Sequence, residues 1–278
     1  MKKIQKLALA LLILTAFSSI VLAGDYASFK FIGFSKNGKY LAFEEFGAWD
    51  GSGGDYATTY YIDTTKNSFA MAPTIFERTD DPLDKLKGFK IESLYKKDVA
   101  LKLKRFGIER GNFGQQAVAH FLNDLSFVKP VQREHYFYED GKNEPIEKLV
   151  TDYEGGFIKR ETNEIEKVIF NPNLDPYNQN TEEFYELTLI PTLAKPTEGC
   201  SEAYKFELTL KDNTGHRNHE LKILQKDSDM LPKARNCPFG YKIEQVYIYE
   251  GKIAVFLNIF SQGFEGPDMR YLGVTGEI

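Results

Sequence analysis

Apolar and polar residues alternate over several short stretches of the chain, which is the pattern of strands with one buried face. In the clearest case, 204–210, every second residue is Tyr, Phe or Leu. The turn sequence Asp-Asn-Thr-Gly at 212–215 then leads into another apolar stretch at 221–223, and this order predicts a β-hairpin. A weaker alternation at 182–190 predicts a further strand, which we expect to end at Pro191 because proline cannot donate to a ladder.

Two stretches, one near each end of the chain, repeat a common order of strand, tight turn, strand, glycine-rich loop and strand. In the first, Asn-Gly at 37–38 forms the turn and 58–63 forms the later strand. In the second, Glu-Gly at 250–251 forms the turn and 270–275 forms the later strand. Glycine supplies the positive φ that such turns require. Each unit is similar to the inner part of a β-propeller blade, and an ordinary sandwich hairpin is the alternative.

One stretch between these units, 80–107, carries the signals of a helix. Asp81 suits the N-cap, Pro82 suits the first helical position and Gly107 suits the stop. The apolar residues that would form its buried stripe are Leu83, Leu86, Leu94, Leu101 and Phe106. The whole pattern predicts a mainly β fold of antiparallel sheets with propeller-blade-like hairpins and one inserted helix. A β-sandwich or an α+β fold is the alternative.

Residues 1–23 show a different pattern, that of a secretory signal peptide. Three lysines precede an apolar run at 7–14, and small residues then lead to a cleavage position after Ala23. The apolar run is shorter than the roughly 20 residues that span a membrane, so we expect no membrane anchor after cleavage. The sequence therefore predicts a secreted or periplasmic protein in which 24–278 form a single mainly β domain.

The net charge of the chain limits the classes of molecule that we expect it to bind. The chain has a formal net charge of −5, and losing the three signal lysines lowers it to about −8. An acidic surface repels nucleic acid and anionic lipid, so neither is an expected partner. Aromatic residues make up 14% of the chain, which favours sheets over a helical bundle.

The chain contains two cysteines, Cys200 and Cys237. An even number of cysteines in an exported protein predicts a disulfide, because the compartment is oxidising. Two free thiols, or one nucleophilic thiol, would be the alternative, but neither cysteine lies in a nucleophile motif.

The two ends of the chain carry a family resemblance. The first unit, 33–63, includes the sequences Phe-Glu-Glu-Phe-Gly and Asp-Gly-Ser-Gly, and the closing segments 237–243 and 263–268 are similarly distinctive. These segments resemble a family of predicted secreted bacterial proteins of unknown function, DUF2259. The resemblance spans the length beyond the signal and is most specific at both ends. It implies export and carries no catalytic residues.

The sequence contains no linear motif for catalysis or for a phosphate or dinucleotide cofactor. Ser52 lies among glycines, but a nucleophile elbow would need glycine where Asp50 stands. His216 and His219 are three residues apart, whereas a zincin-type helix needs a spacing of four. The adjacent carboxylates at 44–45 are expected to point to opposite faces of a strand, which argues against an acid–base pair.

A candidate binding surface comes from the glycine-rich acidic loops of the two terminal units, which follow the second strand in each. If the two ends of the fold meet, these loops become neighbours. Their oxygen donors suit Ca²⁺, and their aromatic rings suit a sugar or a peptide, although loops use the same residue types for turns. We call the candidate ligand-binding residues the rim: Trp49, Asp50, Ser52, Asp55, Phe264, Glu265 and Asp268.

These observations favour a non-enzymatic extracytoplasmic binding or scaffold module. Its expected partner is an envelope protein or a glycan, held at the rim, with Ca²⁺ as the candidate ion. The alternative is an exported hydrolase whose site is assembled from distant acids, namely Asp50, Asp55, Glu265 and Asp268. A structural envelope protein without a small ligand is a third reading.

Overall fold

The computed structural model describes residues 24–49, 53–78, 82–120, 163–170, 184–197, 199–213, 221–263 and 267–278. These residues form thirteen strands, one α-helix and a short 3-10 helix, Lys233–Arg235. The strands are β1 (Ser28–Phe34), β2 (Tyr40–Ala48), β3 (Asp55–Asp63), β4 (Ser68–Phe69), β5 (Thr74–Arg78), β6 (Gln115–Ala119), β7 (Glu166–Phe170), β8 (Tyr185–Leu193), β9 (Tyr204–Asp212), β10 (Leu221–Lys226), β11 (Pro238–Tyr249), β12 (Lys252–Gln262) and β13 (Pro267–Glu277). The helix α1 (Pro82–Phe106) lies between β5 and β6.

The described strands form three antiparallel sheets. The first sheet has the order β1-β2-β3-β4, with β5 also pairing with β3. The second sheet has the order β13-β12-β11-β6, and the third has the order β10-β9-β8-β7. The predicted fold class, mainly β with antiparallel sheets and one inserted helix, is confirmed. The two similar terminal units lie in different sheets, the first and the second.

The second sheet lies in the middle and packs against both others. Its strand β12 is buried from Ile253 to Ser261 because both of its faces are covered. Phe256 and Phe260 on one face join an aromatic core with the first sheet, while Val255 and Leu257 on the other join an aliphatic core with the third. Burying a large apolar side chain stabilises the fold by about 1.5–3 kcal/mol, so these two cores hold the sheets together.

The helix α1 covers the outer face of the first sheet. Val99 and Leu103 pack there with Ile32, Ala42 and Tyr61. The predicted start at Pro82 and stop at Gly107 are confirmed, since α1 begins at its proline and is followed by a glycine with φ of +62°. The predicted cap, Asp81, lies outside the described residues.

The predicted apolar stripe of α1 is wrong at two positions, and the side chains of Leu83 and Leu86 lie outside the described part of the structure. Leu94 is 56% exposed and Leu101 is 59% exposed. The helix instead buries residues spaced four apart, Tyr95, Val99 and Leu103, and leaves the opposite side to solvent.

The predicted hairpins are present. The turn at 37–38 joins β1 to β2, and the turn at 250–251 joins β11 to β12 with positive φ at both residues. Strands β9 and β10 pair antiparallel as predicted. The predicted stop at Pro191 is wrong, because Pro191 pairs with Phe206 inside β8. Strand β7 pairs with β8 only as far as Leu189, so among the described strands the proline has a neighbour on one side only.

The predicted disulfide is confirmed. Cys200 and Cys237 are bonded, with their Cα atoms 5.7 Å apart, and the bond joins the loop before β9 to the start of β11. The predicted signal peptide, 1–23, lies outside the described residues. In the part of the chain that the structure describes, no helix is long and apolar enough to cross a membrane.

Candidate functional site

The described ends of the two rim loops lie side by side. The guanidinium carbon of Arg270, just after the second loop, lies 5.2 Å from the ring centre of Trp49 in the first. It also lies 5.0 Å from the ring of Tyr56, and the two aromatic rings are 4.5 Å apart. A guanidinium over two aromatic faces is an attractive arrangement. Four rim residues lie outside the described residues: Asp50, Ser52, Phe264 and Glu265.

Asp268 fastens the first described residues of the chain to β13. Its Oδ1 atom accepts the backbone N–H of Asp25 at 3.0 Å. The backbone N–H of Met269 and the Nη1 atom of Arg270 both donate to the Asp25 carbonyl, at 3.0 Å and 2.6 Å. The backbone N–H of Ala27 in turn donates to the Met269 carbonyl at 3.0 Å. The Asp268 carboxylate therefore already has an intramolecular partner.

Asp55 faces away from this cluster. Successive residues of a strand point to opposite faces, so Tyr56 lies with Trp49 toward the second sheet and Asp55 lies on the α1 side. Its carboxylate forms an ion pair with Arg78 on β5. Of the described rim residues, Trp49 and Asp55 therefore lie on opposite faces of the first sheet.

On the α1 side, the helix and the first sheet enclose a cleft of about 720 Å³. Its floor consists of side chains that the strand registers place in rows across the sheet. One row contains Lys30 and Glu44; the next contains Phe46, Ala57 and Phe76; the last contains Asp55 and Arg78. The helix supplies Glu92, Tyr95, Lys96 and Val99, and the segment after it supplies Arg110. We call this space the α1 cleft.

A hydrogen-bonded group of three side chains lies between the floor and the helix. The Oε2 atom of Glu44 accepts the Tyr95 hydroxyl at 2.7 Å and the Thr59 hydroxyl at 3.2 Å. Burial raises the pKa of Tyr95, and the Glu44 carboxylate raises it further, so Tyr95 stays a proton donor at neutral pH.

The neighbouring carboxylate, Glu45, belongs to the other face, as the sequence predicted. It accepts the Tyr60 hydroxyl at 2.7 Å and the backbone N–H of Tyr271 at 3.1 Å, between the first and second sheets. Glu45 thus joins the two sheets and takes no part in the α1 cleft.

The charged groups of the α1 cleft are only partly paired. Arg78 pairs with Asp55, and Lys96 pairs with Glu92 at 2.6 Å. The Lys96 hydrogen bond lowers the pKa of Glu92, which keeps that carboxylate ionised. The cleft also has aromatic surface, because Phe46 lines it and is 39% exposed. Tyr95 packs against the buried Phe76, with ring centres 5.7 Å apart.

Sequence reasoning did not find this cleft, because its residues come from four strands, a helix and a loop. The alternation along β2 does put Glu44 and Phe46 on one face, but nothing linear shows which element covers that face. The one sequence signal for the cleft is the alternation along neighbouring strands, which puts every second side chain of each strand on the same face of the sheet.

Two further buried glutamates, Glu166 of the third sheet and Glu244 of the second, are hydrogen-bonded to strands of the second sheet. Glu166 accepts the backbone N–H of Ile243 at 2.8 Å, and a ring nitrogen of His120 lies 3.0 Å from the Ile243 carbonyl. Glu244 accepts the amide of Asn258 at 2.8 Å. Burial raises the pKa of both glutamates. Their hydrogen bonds to neighbouring strands indicate a structural role.

Among the residues whose placement is described, no three His, Cys, Asp or Glu side chains are grouped so that they could hold a metal ion. The histidines at 216 and 219 lie outside those residues.

Comparison with known proteins places the chain in a family. Residues 42–277 match a family model described as "Predicted secreted protein (DUF2259)". No curated protein and no solved structure matches the chain significantly. The family's description as secreted agrees with the predicted localisation. Because the match covers most of its length, the chain belongs to the DUF2259 family of predicted secreted proteins.

Proposed function

We propose that this secreted protein is a non-enzymatic binding module that holds a glycan in the α1 cleft. The observation that carries the proposal is the cleft itself, with its volume of about 720 Å³ and its lining of aromatic rings and charged side chains. Ligand pockets typically have volumes of about 300–1,000 Å³ and combine apolar walls with a few fixed polar groups. A protein partner would instead require a larger, flatter interface.

The chemistry of the lining suits a sugar. Phe46, an exposed side chain, offers a ring face for the apolar side of a pyranose, and Tyr95 and Glu44 offer hydrogen-bonding groups beside it. The hydrogen bonds between Glu44, Tyr95 and Thr59 fix these groups before a ligand arrives, which reduces the entropy cost of binding.

A hydrolase is supported less well. The carboxylate of Asp55 is paired with Arg78, and that of Asp268 accepts a backbone N–H. A glycosidase needs two carboxyl groups facing one bond, one of them with a raised pKa. The pKa of Glu92 in the cleft is lowered.

The proposal is tested by titrating the purified protein with a panel of neutral and acidic oligosaccharides in a calorimeter. We expect binding of at least one of them and recovery of that oligosaccharide intact. The variant Ala57→Trp, which puts an indole into the floor of the cleft, should abolish binding. Ala119→Trp, at an exposed position of β6 outside the cleft, is the matched control. Equal binding by both variants would contradict the cleft as the site, and cleavage of the sugar would support the hydrolase.

A further inference from the structure

The cations of the α1 cleft fall into two groups. Arg78 and Lys96, toward β5 and the helix, each have an acidic partner. Lys30 and Arg110 also line the cleft and are exposed, but neither forms an ion pair with any described residue. The unpaired positive charge is therefore located at the β1 side of the cleft.

Glu44 forms no salt bridge with Lys30, although the two residues are directly opposite in the β1–β2 register. Opposite charges at such positions are normally attractive. Here the Oε2 atom of Glu44 is engaged by the hydroxyl groups of Tyr95 and Thr59. Lys30 is left without a salt bridge to it.

Arg110 is fixed near the same edge. The segment after α1 runs along β1, where the backbone N–H of Gly111 donates to the Ile32 carbonyl at 3.0 Å. The backbone N–H of Glu109 donates to the Phe34 carbonyl at 3.1 Å. Lys30 and Ile32 share one face of β1, so the hydrogen-bonded loop places Arg110 along the strand that carries Lys30.

Two unpaired cations at one end of a cleft, in a chain whose net charge is −5, form a local attraction for an anion. We propose that the glycan is acidic and that Lys30 and Arg110 bind its carboxylate or sulfate group. The planar guanidinium of Arg110 can hold two oxygens of such a group, while the ammonium of Lys30 adds a point charge. This inference rests on the proposed function and adds the chemical class of the ligand.

The test compares three ligands of the same chain length: a hexuronate oligosaccharide, its carboxyl-reduced neutral form and a sulfated form of the neutral sugar. Calorimetry on the purified protein should show at least about tenfold tighter binding of an acidic form than of the neutral one, a preference worth about 1.4 kcal/mol. The two acidic forms show whether a carboxylate or a sulfate is preferred. Lys30→Gln and Arg110→Gln should each remove most of this preference, with a larger loss of affinity for the acidic forms than for the neutral form.

Lys167→Gln is the control, because it removes an exposed lysine from β7, in the third sheet. Lys30→Glu is a second variant, and it should weaken acidic binding more than Lys30→Gln does. Thermal melting checks that each variant is folded. Equal affinity for acidic and neutral forms would overturn this inference and leave the proposed function standing. Binding of none of the three would overturn both.

Discussion

The backbone N–H of Thr275 donates a hydrogen bond to the Oδ1 atom of Asn67, 2.8 Å away, and so joins the second sheet to the first. The amide nitrogen of Asn67 donates to the Leu224 carbonyl at 3.1 Å and to Gln225 Oε1 at 2.7 Å, both in the third sheet. One side chain in a turn thus contacts all three sheets. Its φ of 48° is a left-handed conformation that asparagine tolerates better than most residues.

We expect Asn67→Ala to lower the free energy of unfolding by about 2–3 kcal/mol, because it removes these bonds and adds strain at positive φ. Asn67→Gly should lower the free energy of unfolding by less, because glycine loses the same hydrogen bonds but adopts positive φ without strain. Urea unfolding of the two variants measures the difference. Wild-type stability in both would show that the turn does not hold the sheets together.

A buried ion pair makes a second prediction. Arg235 and Asp227 have side chains only 11% and 5% exposed, and Asp227 also accepts the backbone N–H of Phe206. Asp227→Asn would leave the arginine charge buried without a counter-ion, which costs about 3–5 kcal/mol. The control is Asp229→Asn, two residues away, whose carboxylate meets two lysines at the exposed surface. Chemical unfolding should show a large loss for the first variant and little change for the second.

The disulfide gives a third prediction. Replacing Cys200 and Cys237 together by Ser should lower stability by about 3–4 kcal/mol in the chain-entropy account, since the bond closes a loop with a sequence separation of 37 residues. Alkylation without reductant should add no mass to the native protein, and alkylation after reduction should modify both cysteines. Modification of the unreduced protein would contradict the bond.

Buried tyrosines predict a loss of stability at alkaline pH. Burial raises the pKa of Tyr56 and of Tyr247 from 10.0 to about 12. Because the pKa of each tyrosine is higher in the folded than in the unfolded protein, its contribution to the free energy of unfolding is complete below pH 10. That contribution is lost as the pH rises toward about 12. The free energy of unfolding, followed together with tyrosinate absorbance, should fall across that window.

Tyr56→Phe isolates one of these groups. The Tyr56 hydroxyl is buried and has no hydrogen-bond partner among the described residues. The phenylalanine variant should therefore keep its stability at neutral pH and lose less of it at high pH. An unchanged alkaline slope would show that Tyr56 does not contribute.

Calcium at the rim is a fifth prediction. A native-state ligand raises the melting midpoint by mass action, so millimolar Ca²⁺ should raise it if the rim holds the ion. The double variant Asp50→Asn with Asp268→Asn should lose that rise, and Mg²⁺ serves as the control ion. An unchanged melting midpoint of the wild-type protein in millimolar Ca²⁺ would show that the rim does not bind calcium.

Local features of this fold could be predicted because they depend on neighbouring residues. The turns at 37–38 and 250–251 need glycine, α1 begins at a proline, and alternation separates Glu44 from Glu45. Leu94 and Leu101 were misjudged because helical spacing does not show which face a sheet will cover. Pro191 was misjudged because its tolerance depends on where β7 ends.

The contacts that define the site are distant along the chain. Trp49 meets Arg270 only when the first and second sheets stack, and the pattern of repeated units predicted that neighbourhood only in outline. Lys30 and Arg110 border one cleft because the segment after α1 returns to β1. Such contacts depend on tertiary packing, which neither the hydrophobic periodicity nor the spacing of motifs along the sequence predicts.

The most direct test of the account is to locate a bound ligand by amide hydrogen exchange. The purified protein would be compared with and without the oligosaccharide that it binds most tightly in the calorimetric panel. We predict slower exchange in β2, in β3 and in the 92–99 part of α1, with no change in the third sheet. Protection confined to β7–β10, or to the segment 24–27 and β13, would place the ligand elsewhere and contradict the α1 cleft as its site.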